Sequence, residues 1–493
     1  MRALAVLTLV AVTLPACAAA SFTDDDRARL VTYWNAPGRY VVSLPPASPT
    51  RSGPWQAHLT PEASKWFLRY RTAVGAASAP PTVDAPAAGT PAVEAWDAWV
   101  KSRLAYDTWL AQGIADAANA SAAPPPAAVI QPLTPGPANP AAAVPPAIPA
   151  PIPADLLLVA GNPPPLSAAV TPLRYTVTFD DGDSYVYDDH VPVRPTYPYY
   201  RFANGVVAYG RSLRSVPDAG LAPLFLAAGM TGSEERVAMA VSRLEGGFDS
   251  INTYDTGCIS VGFIQFTSGD DGRQSLCSVL AREKAQKPDD FAKDFRQYGI
   301  DVTDDGILLV VDPSTGAELT GSDAVSRIID DKRLTAVFQR AGKQPAFEVA
   351  QIQQAKAIYW PADDSFSVVV GGQTLTGKVS DVIHSEAGTA TLFDRKVNRG
   401  NIRPFADVVT TAMAAHGVAT IAGAAAYERE IVTALRYRAD FLADATLSQP
   451  AGNQPAGNQP PGNQPAGNQP PGNQPPGNQP PAVPQGARSV GGQ

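Results

Sequence analysis

Proline limits what this chain can fold into more than any other residue does. It fixes φ and removes a backbone donor, so stretches dense in it cannot form helix interiors or central strands. The 493-residue chain carries 49 prolines and 40 glycines, and they are clustered. From Ala118 to about Pro165 the sequence is Ala and Pro with hardly a charge, which predicts a semi-rigid extended spacer. After Leu447 comes "QPAGNQPAGNQPPGNQPAGNQPPGNQPPGNQPP", an uncharged pentapeptide array with no apolar face, predicted to be a disordered tail over 447–493. Packed structure is thereby expected in 21–117 and 166–446 only.

Between these runs the texture changes twice. Residues 21–117 show helical periodicity around Asp25–Trp34, Thr60–Ala73 and Val93–Ala117, with Trp34, Trp55, Trp66, Trp96, Trp99 and Trp109 near helical spacing. The favoured reading is a small helical module packed on its tryptophans; the alternative is a sugar-stacking platform. Residues 166–217 hold "RYTVTFDDGDSYVYDDHV", an alternating pattern around an Asp-Gly turn, which predicts a hairpin. Its acids Asp180, Asp181, Asp183, Asp188 and Asp189 lack the ordered ligand spacing of a calcium loop. Residues 218–446 form the longest proline-poor stretch and should be the main domain. It is expected to be α+β and mainly helical, with hairpins at "GILLVVDPSTGAELTG" and "SFSVVVGGQTLTG" and a long closing helix over "IAGAAAYEREIVTALRYRADFLADA".

The first 20 residues, one Arg, an apolar run and then small residues, read as an export signal; "LPAC" also resembles a lipobox with Cys17 as the lipidated residue. The expected location is therefore the periplasm, cell envelope or medium, with membrane anchoring only through a lipidated Cys17. In such a compartment Cys258 and Cys277 read either as a disulfide or as two buried free thiols. A net charge of −8 with no Lys/Arg cluster excludes general nucleic-acid binding. His58, His190, His384 and His416 have no metal-ligand spacing, so neither a metal nor a cofactor is expected.

One stretch carries catalytic chemistry. Thr231 and Glu234 fit a capping box, Val237, Val241, Leu244 and Phe248 follow at helical spacing, and Gly246–Gly247 would end the helix. Glu245 would then sit in the last turn, where the helix dipole and partial burial both raise a carboxyl pKa, as a general acid requires. Asp255, at a tight turn ending in Gly257, is expected to be more exposed and ionised. Two carboxylates in different environments suit glycoside hydrolysis. Ser260 could orient Asp255 or hold a water, and Gln265 could bind an N-acetyl group or hydroxyl. His384 with Glu386 reads as the polar face of a helix rather than an acid–base pair, and no nucleophile elbow surrounds Ser242 or Ser260.

"EGGFDSINTYDTGCISVGF" resembles the catalytic region of the lysozyme-like superfamily, in particular phage-type lysozymes and the opening of glycoside hydrolase family 108. "VGFIQFT" is similar to a segment of goose-type lysozymes and lytic transglycosylases, and "LFDRKVNRG" resembles a helix of family 108-like domains. The resemblance covers about 225–440. It implies Glu245 as general acid and Asp255 as second acid, although the spacing is one residue longer and Ser260 stands where Thr is usual. It places Asp394, Asn398 and Gly400 in the second block, bracing the core or lining the cleft. The implied partner is peptidoglycan or a related amino-sugar polymer, cleaved at β-1,4 bonds by a hydrolase or a lytic transglycosylase. The non-enzymatic alternative is an envelope scaffold that keeps the fold to bind glycan.

Overall fold

Residues on the two sides of the Ala/Pro run pair with each other in two sheets. A computed structural model describes residues 22–46, 53–74, 91–121, 145–191, 200–244 and 246–451. Residues 1–21 with Cys17, the middle of the Ala/Pro run, the residues beyond 451 and Glu245 lie outside the described residues. The chain divides at Trp360/Pro361 into two units, both mixing helices with small antiparallel sheets. The stretch read as one domain over 218–446 therefore contributes to both. Among the described residues, no helix is long and apolar enough to cross a membrane.

The three expected N-terminal helices form, the first two from side-chain caps. Helix α1 (Asp24–Trp34) starts from a Thr23/Asp26 capping box. After strands β1 (Tyr40–Ser43) and β2 (Gln56–Leu59), helix α2 (Pro61–Ala73) starts from Thr60, with Pro61 at its first position, and α3 (Pro91–Ala120) follows. The end of the expected spacer is not extended chain. "ADLLLVA" forms α4 (Ala154–Ala160), and Leu156 and Ala160 are buried with Trp66, Trp96 and Trp99. The chain flanking α4 supplies acceptors for two of these indoles: Trp99 donates to the Ala150 carbonyl at 2.8 Å and Trp66 to the Gly161 carbonyl at 2.9 Å.

Strand β3 (Ser167–Val170) then pairs with β2, and β4 (Arg174–Thr178) joins β1 to β5 (Ser184–Asp188). The β4–β5 hairpin turns at Asp181–Gly182, as expected. Two of its acids hold side chains: Asp188 pairs with Arg174 and Asp181 with Arg340. Trp34 donates to the Tyr298 carbonyl, and Phe22 and Leu30 of the amino-terminal segment pack on Leu309 and Val311. Trp34, Trp55, Trp66, Trp96 and Trp99 are buried and form core, while Trp109 is half-buried beside Tyr106.

The remainder of the first unit builds the framework of the candidate site. Strand β6 (Val207–Ala208) precedes α5 (Asp218–Ala227) and α6 (Gly232–Ser242). Strands β7 (Ile251–Asn252), β8 (Ser260–Val261) and β9 (Phe266–Thr267) complete an antiparallel sheet in the order β6-β7-β8-β9. Helices α7 (Ser275–Gln286) and α8 (Pro288–Asp294) lead to the meander β10 (Ile300–Val302), β11 (Leu308–Val311) and β12 (Glu318–Thr320), which contains the hairpin expected at 306–321. Helices α9 (Gly321–Asp330), α10 (Lys332–Ala341) and α11 (Pro345–Tyr359) close the unit, with α11 packed against α7.

The second unit opens with the expected hairpin, β13 (Ser365–Val370) and β14 (Gln373–Lys378). It packs on α12 (Glu386–Arg399), α13 (Phe405–His416) and α14 (Glu428–Ala434) around Phe366, Leu392, Val409, Met413 and Ile431. The expected long closing helix is broken into a 3-10 turn over Ala422–Tyr427, the short α14 and a second 3-10 turn over Phe441–Ala443. Two anchors hold this bent path: Glu428 is buried on the amide and hydroxyl of Ser385, and Arg438 turns in to Asp394. The residue just before the repeat array also belongs to this unit. Ser448 exchanges hydrogen bonds with Glu386, its N–H donating to the carboxylate at 2.8 Å. Glu386 is thus a buried brace, while His384 is exposed.

Candidate functional site

Helix α6 begins as its sequence predicts. Thr231 and Glu234 form the capping box, and Glu234 is also paired with Lys356 of α11 at 2.8 Å. Val237 and Val241 face the core. The helix stops at Ser242, earlier than the glycine pair suggested, and Glu245 follows outside the described residues. Gly247 has a different task from ending the helix. Its N–H donates to the Tyr209 carbonyl at 3.3 Å, and a Cβ on it would lie 2.3 Å from the Arg211 carbonyl oxygen. Only glycine lets the two backbones cross this closely. Phe248 is buried beyond the turn, edge-on to Phe263 with ring centroids 5.0 Å apart.

The β7–β8 connection carries Asp255. Asn252 organises it from the end of β7, accepting from the Tyr254 N–H at 3.0 Å and donating to Asp255 Oδ2 at 2.5 Å. The Gly257 N–H donates to Asp255 Oδ1 at 2.9 Å, so both carboxylate oxygens are engaged by the turn itself. Burial pushes the Asp255 carboxyl above its ordinary pKa, and those two donors pull it partly back. Asp255 is half-buried, with both its oxygens engaged within its own loop. Ser260 is brought close to it, since a Cβ on Gly257 would lie 2.6 Å from Ser260 Oγ and 3.2 Å from Asp255 Oδ1.

Gln265 closes the next turn, with φ of 57°. Its amide nitrogen donates to Ser250 Oγ at 2.8 Å and to the Gly262 carbonyl at 3.0 Å, which makes it a brace of the hairpin. Behind it stands Gln351 of α11, 0% exposed, accepting from the Phe263 N–H at 3.3 Å and donating to the Phe248 carbonyl at 3.1 Å. One side chain thus ties both ends of the 248–263 segment to a helix.

Three residues earlier on the same helix lies Glu348, which sequence reasoning missed. It is 4% exposed and faces Arg211, whose guanidinium donates at 3.4 Å. Burial pushes its carboxyl up to about 7, against the pull of Arg211 and with a push from the charge of Asp249. Asp249 in turn accepts from the Arg211 N–H at 2.7 Å. The available signal was the i, i+3 spacing of Glu348 and Gln351 within an otherwise apolar helical face.

Cys258 and Cys277 are both buried and free, so the disulfide alternative is not the one adopted. Cys277 donates from Sγ to the Gly272 carbonyl at 3.0 Å, and burial pushes its thiol up to about 12; Cys258 accepts from Arg201 at 3.5 Å. The second block belongs to the second unit. Asp394, 1% exposed, accepts from Arg438 Nε at 2.9 Å and from Asn398 Nδ2 at 3.2 Å, and Gly400 ends α12 in a left-handed conformation. This is a buried ionic brace of its own unit. Among the described residues, no group of His, Cys, Asp and Glu is arranged to hold a metal ion. No family model, no curated protein and no solved structure matches the chain.

Proposed function

We propose that the chain is an exported enzyme that cleaves β-1,4 bonds in peptidoglycan glycan strands, with Glu245 as its acid. The observation that carries this reading is the frame around that residue. A capped helix ends just before Glu245, and a glycine crossing follows just after it. The short sheet β7–β8–β9 is then pinned from behind by Gln351, which binds the Phe248 carbonyl and the Phe263 N–H. An ordered frame beside the acid suits general acid catalysis, which depends on where the proton donor is held.

The commitment of both Asp255 oxygens to Asn252 and Gly257 favours a one-acid mechanism over a paired-acid one. Glu245 gives its proton to the leaving glycosidic oxygen as the anomeric bond breaks. It then takes the proton from the sugar's own hydroxyl as that oxygen closes on the anomeric carbon, the course of a lytic transglycosylase. Asp255 holds the loop. Incubation of the purified protein with glycan strands, followed by analysis of the new chain ends, tests the mechanism. Anhydro ends are expected; new reducing ends would return Asp255 to the role of second acid with a water nucleophile, and absence of any cleavage would leave a glycan-binding scaffold.

A further inference from the structure

A cavity of about 300 Å³ opens beside the Asp255 loop, lined by Lys65, Leu68, Tyr200, Arg201 and Thr256. Thr256 is the immediate neighbour of Asp255, and the opposite wall is tied to the same loop: the N–H groups of Arg201 and Phe202 both donate to the Tyr254 carbonyl, at 2.6 and 3.1 Å. The cavity is thus a built extension of the candidate site. Its far side is α2, which brings Lys65 and Leu68 one turn apart onto the same face.

Its chemistry is unusual for a chain with net charge −8. Lys65 and Arg201 are two cations on one small cavity, and neither forms an ion pair among the described residues. The one polar side-chain contact of Arg201 given by the structure is the 3.5 Å hydrogen bond to Cys258 Sγ. Tyr200 is buried in the wall, its ring 5.5 Å from that of His58. Arg201, which lies over the Phe202 ring at 5.1 Å, and the exposed Lys65 thus bring two cations to the lining with no carboxylate paired to either among the described residues. Leu68 and the tyrosine ring supply the apolar part of the lining.

We propose that this cavity is a subsite for a carboxylate of the peptide arm carried by the glycan strand, so that the enzyme acts on peptide-bearing rather than naked glycan. Arg201 and Lys65 bind the carboxylate, and Leu68 and Tyr200 take the aliphatic part of the arm. The proposal rests on the glycan-cleaving reading of the adjacent loop and adds a substrate determinant to it.

The test separates binding from cleavage. Full-length wild type, K65E and R201Q are co-sedimented with insoluble wall glycan that retains its peptide arms and with the same glycan stripped of them, and cleavage of both is measured. Wild type is expected to bind the peptide-bearing form about 5-fold more tightly, with the preference fading as salt rises. K65E is expected to lose that preference while binding and cleaving stripped glycan like wild type. Equal binding of the two glycans by wild type, or a preference that survives in K65E, overturns the subsite. Lys65 is exposed, so K65E decides the matter even if R201Q fails to fold. A K65E-sensitive preference without any cleavage would uphold the subsite and sink the enzymatic reading alone.

Discussion

Asp255 is half-buried and Glu348 buried, and their surroundings give them different tasks. Asp255 has its two oxygens occupied by Gly257 and Asn252, while Glu348 faces the exposed guanidinium of Arg211. If Asp255 holds its loop, D255N keeps the acceptor for the Gly257 N–H, and glycan cleavage should fall by no more than about 10-fold. A catalytic partner would lose about 100-fold or more. For Glu348, a folded-state pKa raised from 4.5 to about 7 means that the native state binds the proton more tightly than the unfolded chain. Its contribution to stability is therefore fully present below about pH 4.5 and is lost as pH rises through 7. Relative to E348Q, the wild type should lose up to about 2 kcal/mol between those limits, as urea unfolding across the pH range would reveal; Arg211 and solvent screening keep the figure modest. A wild-type-to-variant difference that does not change with pH would contradict this account of Glu348.

At the scale of elements, the turn at Gly262 carries the most consequence. Its φ is +85°, and a Cβ there would lie 2.0 Å from Gln351 Oε1, the atom that accepts from Phe263. G262A should therefore lower stability by about 2 kcal/mol or more, through left-handed strain and displacement of Gln351. Thermal melting close to wild type would mean that α11 does not grip the hairpin as described.

What could be read in the sequence was local. The Thr231 capping box, the Asp181–Gly182 turn, the β13–β14 hairpin and the three N-terminal helices each depend on residues a few positions apart. What could not be read depends on distant partners. The pairing of Tyr40 with Val177 and of Gln56 with Val170, the use of the spacer's carbonyls by Trp66 and Trp99, and the bend fixed by Asp394 on Arg438 have no short-range signature. The same holds within the site. Glycines 246 and 247 look like a helix stop from their neighbours alone, and only the Arg211 backbone passing beside Gly247 gives the second of them its reason.

At the scale of the molecule, each unit has its own interior. Residues 361–451 enclose Phe366, Leu392, Val409, Met413 and Ile431, hold a buried Asp394–Arg438 pair, and tie Ser448 back to Glu386. Expressed alone, this segment should unfold cooperatively with helical circular dichroism, whereas a fragment ending before Ser448 should be less stable because the amides at the start of α12 lose their acceptors. A non-cooperative 361–451 fragment would show that its core is incomplete.

The glycan-cleaving proposal turns on one residue. Wild type and E245Q, matched for folded content by circular dichroism, are assayed for release of soluble fragments from purified wall glycan. The expected result is release by wild type and a loss of about 100-fold or more in E245Q, the amide being unable to give up a proton. Equal release by the two proteins would contradict the assignment of Glu245 as the acid.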